Sequence, residues 1–145
     1  LVTTAGTTSE RYIKAHKEEL GIGEIISAKD HGESFLMLES GRASAFMMDD
    51  ILLAGEKSKA KEPAKWHIVG TAPIHEIYGC MMRKGDADFK QVVDDAIKAT
   101  YASGEINTMY KKWFESPIPP KNVNLNFPMS DDIKTLIATP HDKDE

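Results

Sequence analysis

Leu1-Val2-Thr3-Thr4-Ala5-Gly6-Thr7-Thr8-Ser9-Glu10 begins as a strand and turns into a helix. Val and Thr are β-branched and suit a pleated strand. Gly6 interrupts them, and Thr7 with Glu10 three residues on has capping-box spacing, in which the hydroxyl takes the N–H of the third helical residue. Tyr12, Ile13, His16 and Leu20 continue near helical period, and Gly21 with Gly23 marks the stop. The opening is therefore predicted as strand, turn, helix.

The same grammar repeats downstream. Glu24 to Ala28 reads as a strand, Lys29-Asp30-His31-Gly32 as a polar turn, and Glu33 to Glu39 as a short helix closed by Gly41. Arg42 to Met48 is a nearly continuous apolar run, as in a strand covered on both faces. Asp49 or Asp50 then caps a helix from Ile51 to about Ser58. The charged linker Lys59 to Lys65 contains Pro63 and leads to a predicted strand, Trp66 to Gly70. The order β-α-β-α-β-α-β predicts an α/β fold with a parallel sheet between helices.

After Gly70 the pattern changes, and a boundary is expected between residues 71 and 76. Ile77 to Arg83 reads as a strand. Asp86 to Ser103 reads as a long amphipathic helix with Phe89, Val92, Val93, Ala96 and Ile97 on one face, ended by Gly104. Ile106 to Phe114 is a second helix, broken by Ser116-Pro117-Ile118-Pro119-Pro120. Asn122 to Phe127 is predicted to lie over another surface, before a small helix from Ser130.

Composition narrows the function classes. The 145 residues carry 18 basic and 23 acidic side chains, a formal charge of -5. No Lys/Arg run is interleaved with aromatics, so nucleic acid is not an expected partner. The apolar runs Ala45 to Met48 and Ile51 to Ala54 are far shorter than the roughly 20 residues that cross a bilayer. Leu1 opens inside a strand, which we read as part of a longer chain, with any export signal upstream. The five His, at 16, 31, 67, 75 and 141, show no metal-ligand spacing and no supporting Cys pair, so neither zinc nor another cofactor is expected. Cys80 lies in an expected apolar strand, a poor setting for a nucleophile. It reads either as a small buried hydrophobe or as half of a disulfide to another segment.

Three positions carry candidate binding chemistry. Gly6-Thr7-Thr8-Ser9 offers helix-start N–H groups, hydroxyls and the positive end of a helix dipole, which suit a carboxylate or phosphate. The turn equally serves as plain capping by Thr7. Asp49 ends a buried strand at the carboxyl edge of the expected sheet, where open α/β folds bind ligands, and can hold an ammonium group. It can also be an N-cap. His31 follows the second strand at the same edge and can hydrogen-bond a carboxylate, or it is a solvated loop residue. Together the three describe a zwitterion with an extra acid.

The ordered set Gly6-Thr7-Thr8-Ser9-Glu10, Ile26-Ser27-Ala28-Lys29-Asp30-His31-Gly32-Glu33-Ser34-Phe35, Leu38-Glu39-Ser40-Gly41-Arg42-Ala43, Ala45-Phe46-Met47-Met48-Asp49-Asp50, Tyr78-Gly79-Cys80-Met81-Met82-Arg83-Lys84 and Trp113-Phe114 with Pro117-Ile118-Pro119-Pro120-Lys121 covers nearly the whole chain. It resembles the polar amino-acid family of periplasmic solute-binding proteins, and most of all the members that bind acidic amino acids. The resemblance implies a two-lobed type II periplasmic-binding fold. Residues 1–74 would form most of the second lobe, and residues 75–145 a hinge strand and the return to the first.

It further implies an exported, periplasmic binding protein without catalysis or cofactor, taking L-glutamate or L-aspartate to the permease subunits of an ABC transporter. Asp49 would meet the ligand ammonium, Thr7 and neighbouring N–H groups its carboxylate with Thr8 a weaker contributor, and His31 the side-chain carboxylate. Cys80 would pair with a cysteine in the first-lobe segment absent from this sequence. That segment, or another copy of the chain, is an expected partner. A ligand-sensing domain of a membrane receptor and a dehydratase on the same scaffold are the other functions the resemblance allows.

Overall fold

The structure, a computed structural model, describes residues 1–76 and 78–141. Its first strand, β1 (Val2–Thr4), is completely covered, and Gly6 at φ +78° turns the chain from it into helix α1 (Thr8–Ala15). Thr7 is the N-cap, its hydroxyl accepting the Glu10 N–H at 3.1 Å. α1 is shorter than its apolar spacing predicts. His16 caps its end, with the ring stacked on Tyr12 at 4.2 Å, and the chain coils through turns to Gly21 at φ +64°.

Strand β2 (Ile26–Ala28) pairs parallel to β1 in the register Val2 to Ile26, Thr3 to Ser27 and Thr4 to Ala28. Helix α2 (His31–Glu39) starts two residues before the expected Glu33, because Asp30 Oδ1 accepts the Glu33 N–H at 2.8 Å and so caps it. His31 is therefore the first helical residue, not part of a loop. α2 ends in a Schellman motif: Gly41 stands at φ +74°, Arg42 N–H bonds the Met37 carbonyl at 2.9 Å, and Gly41 N–H bonds that of Leu38 at 3.1 Å.

That motif takes the beginning of the expected Arg42 to Met48 strand. What remains is one parallel bridge, Val2 to Phe46, flanked by Val2 N–H to Ala45 O at 2.8 Å and Met47 N–H to Val2 O at 3.0 Å. The Phe46 segment thus lies on one edge of β1 and β2 on the other. Val2, Ala28 and Ala43 form the small core, with Ile26, Met37 and Phe46 packed on it. Helix α3 (Asp50–Lys59) follows, as expected.

The Trp66 to Gly70 strand does not form. After a 3-10 turn at Pro63–Lys65, Trp66 sets its ring edge against buried Phe35 at 5.6 Å, while His67, Ile68 and Val69 are exposed. A strand is stable only where its N–H and C=O groups meet a neighbour, and the described sheet offers none there.

The chain divides into two compact units, Leu1–Ile68 and Val69–Glu145. In the second, Ile77 lies outside the described residues, and the rest of the expected Ile77 to Arg83 strand has no regular structure. Cys80 is accordingly exposed, not in a buried strand. Helices α4 (Ala87–Ala102), α5 (Glu105–Phe114) and α6 (Asp131–Ala138) lie close to their expected positions, started by Asp86, Gly104 at φ +75° and Ser130. Asn124 Nδ2 to Glu115 O, 3.1 Å, and Phe127 N–H to Phe114 O, 3.0 Å, fold the following segment onto the end of α5. The apolar face of α4 is not covered: Phe89 is 52% and Val92 64% exposed.

Gly6 needs the left-handed backbone, where a side chain costs about 1–2 kcal/mol, although a Cβ there would meet nothing within 4 Å. Gly6→Ala is expected to lower unfolding free energy by that amount in urea denaturation. Gly23→Ala, in open space without a positive φ, should change it far less.

Candidate functional site

Because β1, β2 and the Phe46 segment run parallel, their carboxyl ends share one edge, and α1, α2 and α3 all start from it. Thr7, His31 and Asp49 stand at those three starts. The register thus brings the predicted residues to one edge of the sheet.

Their chemistry differs in detail from the sequence expectation. The Thr7 hydroxyl donates to the Thr4 carbonyl at 2.7 Å while accepting from Glu10 N–H. Its single proton is spent, so in this conformation it cannot also donate to a carboxylate. Donors at this turn are instead the first-turn N–H groups, which a helix leaves without internal acceptors, and the hydroxyl of half-buried Thr8. His31 is half-buried, with Nδ1 2.8 Å from Thr4 Oγ1. Asp49 occupies the N-cap position of α3 without a side-chain capping bond, and Asp50 Oδ1 accepts the Ile51 N–H at 2.7 Å. Thr3 Oγ1 donates to the Met47 carbonyl at 3.2 Å and ties the approach to Asp49 onto β1.

A concavity lined by Glu33, Leu36, Met37, Ser40 and Arg42 contains none of these residues. It flanks the outer side of α2, and we assign it no part in the site. No group of three or more His, Cys, Asp or Glu suited to a metal occurs among the described residues, nor is any helix there long and apolar enough to cross a membrane.

With this geometry in place, comparison with known proteins is decisive. Residues 3–116 match the model of the bacterial extracellular solute-binding proteins, family 3. The chain belongs to that family. It is 67% identical over 144 residues to the L-glutamate/L-aspartate-binding protein of Pseudomonas aeruginosa. It is 56% and 55% identical over the same length to the glutamate/aspartate import solute-binding proteins of Salmonella typhimurium and Escherichia coli. Each match covers 99% of this chain and 48% of the relative, so the chain spans about half the length of the curated relatives it matches. Its α/β unit is accordingly part of a type II periplasmic-binding fold.

In this solute-binding protein the residue that organises the edge is one that sequence reading credited only with capping. Glu10 does not complete a box on the Thr7 N–H. Its Oε2 reaches one residue further and accepts the Gly6 N–H at 2.7 Å, while Oε1 takes Lys14 Nζ at 2.6 Å and the Ser27 hydroxyl of β2. Glu10 is almost covered and joins loop, helix and strand. The one legible signal for this role was an acid three residues after the cap. That it would reach Ser27, seventeen positions away, was not written in any local pattern.

The Lys14 hydrogen bond first, then the Ser27 hydroxyl and the Gly6 N–H, hold the Glu10 carboxyl at about 2, against an ordinary 4.5. A carboxyl lowered on folding adds stability that is complete above 4.5 and lost as pH falls toward 2. Thermal unfolding followed by circular dichroism should show the wild-type chain losing stability steeply through that window. Glu10→Gln should be less stable at neutral pH and flatter across the window. Parallel curves for the two proteins would contradict the assignment.

Proposed function

We propose that this chain supplies one lobe's share of a site for an acidic amino acid, L-glutamate or L-aspartate, in a periplasmic protein that delivers it to ABC-transporter permeases. The observation that carries the reading is the common edge: a first-turn N–H cradle, an imidazole and a carboxylate stand at the starts of three helices on one parallel sheet. The names of the three relatives agree with it.

In this reading Asp49 holds the ligand ammonium. The N–H groups at Thr7 and Thr8, with the Thr8 hydroxyl, take the α-carboxylate at the positive end of α1. His31 meets the side-chain carboxylate. The ligand bridges two lobes and stabilises the closed form by contacts made only there, and that form is what the transporter recognises. No bond is made or broken, so the protein is not an enzyme.

We further propose that residues 1–74 form most of one lobe and residues 75–145 return to the other. The exposed apolar faces at Phe89, Val92 and Trp113 then pack against the remainder of the longer protein. Cys80, exposed here, then forms a disulfide with a cysteine of that remainder, in keeping with an oxidising compartment. Thiol titration before and after reduction of the longer protein checks it; a reactive Cys80 under oxidising conditions would rule it out.

Each charge-assisted hydrogen bond missing from a half-site costs about 1.5–3 kcal/mol, roughly 10- to 100-fold in affinity. Calorimetry on the chain alone should give a glutamate Kd in the millimolar range or weaker, and a micromolar value would refute the half-site. Joined to the part of the Pseudomonas aeruginosa relative that the match leaves uncovered, the chain should bind tightly. In that joined protein His31→Ala should reduce discrimination between glutamate and glutamine by about tenfold or more; unchanged discrimination removes His31 from the site.

A further inference from the structure

At the start of α2 a run of side-chain hydrogen bonds leads away from the ligand edge into the unit. His31 Nδ1 lies 2.8 Å from Thr4 Oγ1, Thr4 Oγ1 lies 3.0 Å from Ser34 Oγ, and Ser34 Oγ lies 2.9 Å from the Asp30 carbonyl oxygen. Thr4 is 5% exposed and Ser34 is fully covered, so neither hydroxyl has bulk water as an alternative partner. Each bond has a direction that proton counting determines. The Asp30 carbonyl has no proton, so Ser34 must donate to it, and a serine hydroxyl has one proton to give. Ser34 therefore accepts from Thr4. Thr4 has then spent its own proton, and toward His31 it can only accept. All three bonds exist together only when Nδ1 carries the hydrogen.

We infer that Thr4 and Ser34 are positioning residues that hold His31 in its Nδ1–H tautomer, leaving Nε2 as the ring atom that meets the ligand. This rests on the proposed role of His31 and deepens it. An ionised carboxylate is an acceptor only, and the neutral ring, with its proton pinned at Nδ1, offers only a lone pair at Nε2. The neutral form thus repels an acidic side chain and is able to accept from the amide nitrogen of a carboxamide. The imidazolium alone donates from Nε2 to a carboxylate. Acid is distinguished from amide by whether His31 carries its second proton. Without the relay, the neutral ring could move its hydrogen to Nε2 and blur that distinction. Ser34 lies three residues from His31 and affects the ligand only through Thr4, which separates it from a contact residue.

Two measurements test this. The first is the imidazole nitrogen spectrum of the isotopically labelled chain at alkaline pH, with the ring neutral. His31 should show a protonated Nδ1 and a bare Nε2. Ser34→Ala deprives Thr4 of its acceptor, frees its proton for Nδ1, and should move the ring toward the Nε2–H form. Thr4→Val should also release the tautomer, and Thr4→Ser should retain it. A wild-type Nε2–H ring, or one unmoved by Ser34→Ala and Thr4→Val, overturns the relay; the wild-type spectrum decides even if a variant does not fold. The second is calorimetry in the joined protein with the ring neutral, where Ser34→Ala, by making an Nε2–H available to the carboxylate, should strengthen glutamate binding by up to about tenfold and glutamine binding less. No gain for glutamate, or an equal change for both ligands, would overturn the specificity role. Should His31→Ala leave glutamate binding intact, the ligand reading of His31 fails and the specificity role with it, while the nitrogen spectrum still judges the relay separately.

Discussion

Val2 is hydrogen-bonded into a strand that has a neighbour on both edges. Its own N–H and C=O reach Ala45 and Met47 on one side, while Leu1 C=O and Ala5 N–H reach Ile26 and Ala28 on the other. Alternate residues of a strand address opposite edges, so three residues can bind two neighbours at once. Everything at the proposed site depends on this. With both neighbours parallel to β1, the chain leaves all three in the same direction, and three helices begin side by side. A one-residue slip of either neighbour would exchange the faces of its side chains and carry His31 or Asp49 away from the loop at Thr7.

Glu10 converts that sheet edge into a defined loop. An acid so well covered is tolerable because an ammonium, a hydroxyl and a backbone N–H all meet it. The same bonds prevent the Gly6 loop from relaxing and so keep the first-turn N–H groups of α1 oriented. The arrangement separates two roles in five residues. Glu10 and the Thr7 hydroxyl hold the turn, and in the proposed site the remaining N–H groups and Thr8 meet the ligand. His31 shows the same division within one ring, with Nδ1 committed inward to Thr4 and Nε2 uncommitted to that relay.

Two helix starts were legible from caps that act over three residues, whereas the Asp30 cap of α2, at the same spacing, was read as part of a turn. Thr7 caps α1 and Asp86 caps α4, because a side chain and an N–H three positions on meet in any helix that begins there. Strands were less legible. Arg42 to Met48 and Trp66 to Gly70 have strand composition, yet the first gives up its opening residues to the Schellman motif of α2, and the second has no neighbour in the described sheet. In the second unit, helical periodicity correctly marked α4 and α5. The apolar face it marked on α4 is nevertheless open at Phe89 and Val92, because periodicity says which face seeks burial and not what covers it.

The sequence by itself determined the family, the strand and helix alternation of the first unit as far as α3, the approximate helix positions and the identity of the candidate residues Thr7, Thr8, His31 and Asp49. These depend on local spacing and on an ordered set of motifs, both of which survive without coordinates. Only the tertiary structure decided that the Thr7 hydroxyl is spent on Thr4, that Glu10 crosses to Ser27, and that Thr4 and Ser34 line up behind His31 Nδ1. Apart from the Thr7 to Thr4 bond, which spans three residues, those are contacts between residues 17 to 30 positions apart in the chain. They come into being when parallel pairing brings β1, β2 and α2 together, and a hydroxyl's single proton then assigns each of them a direction.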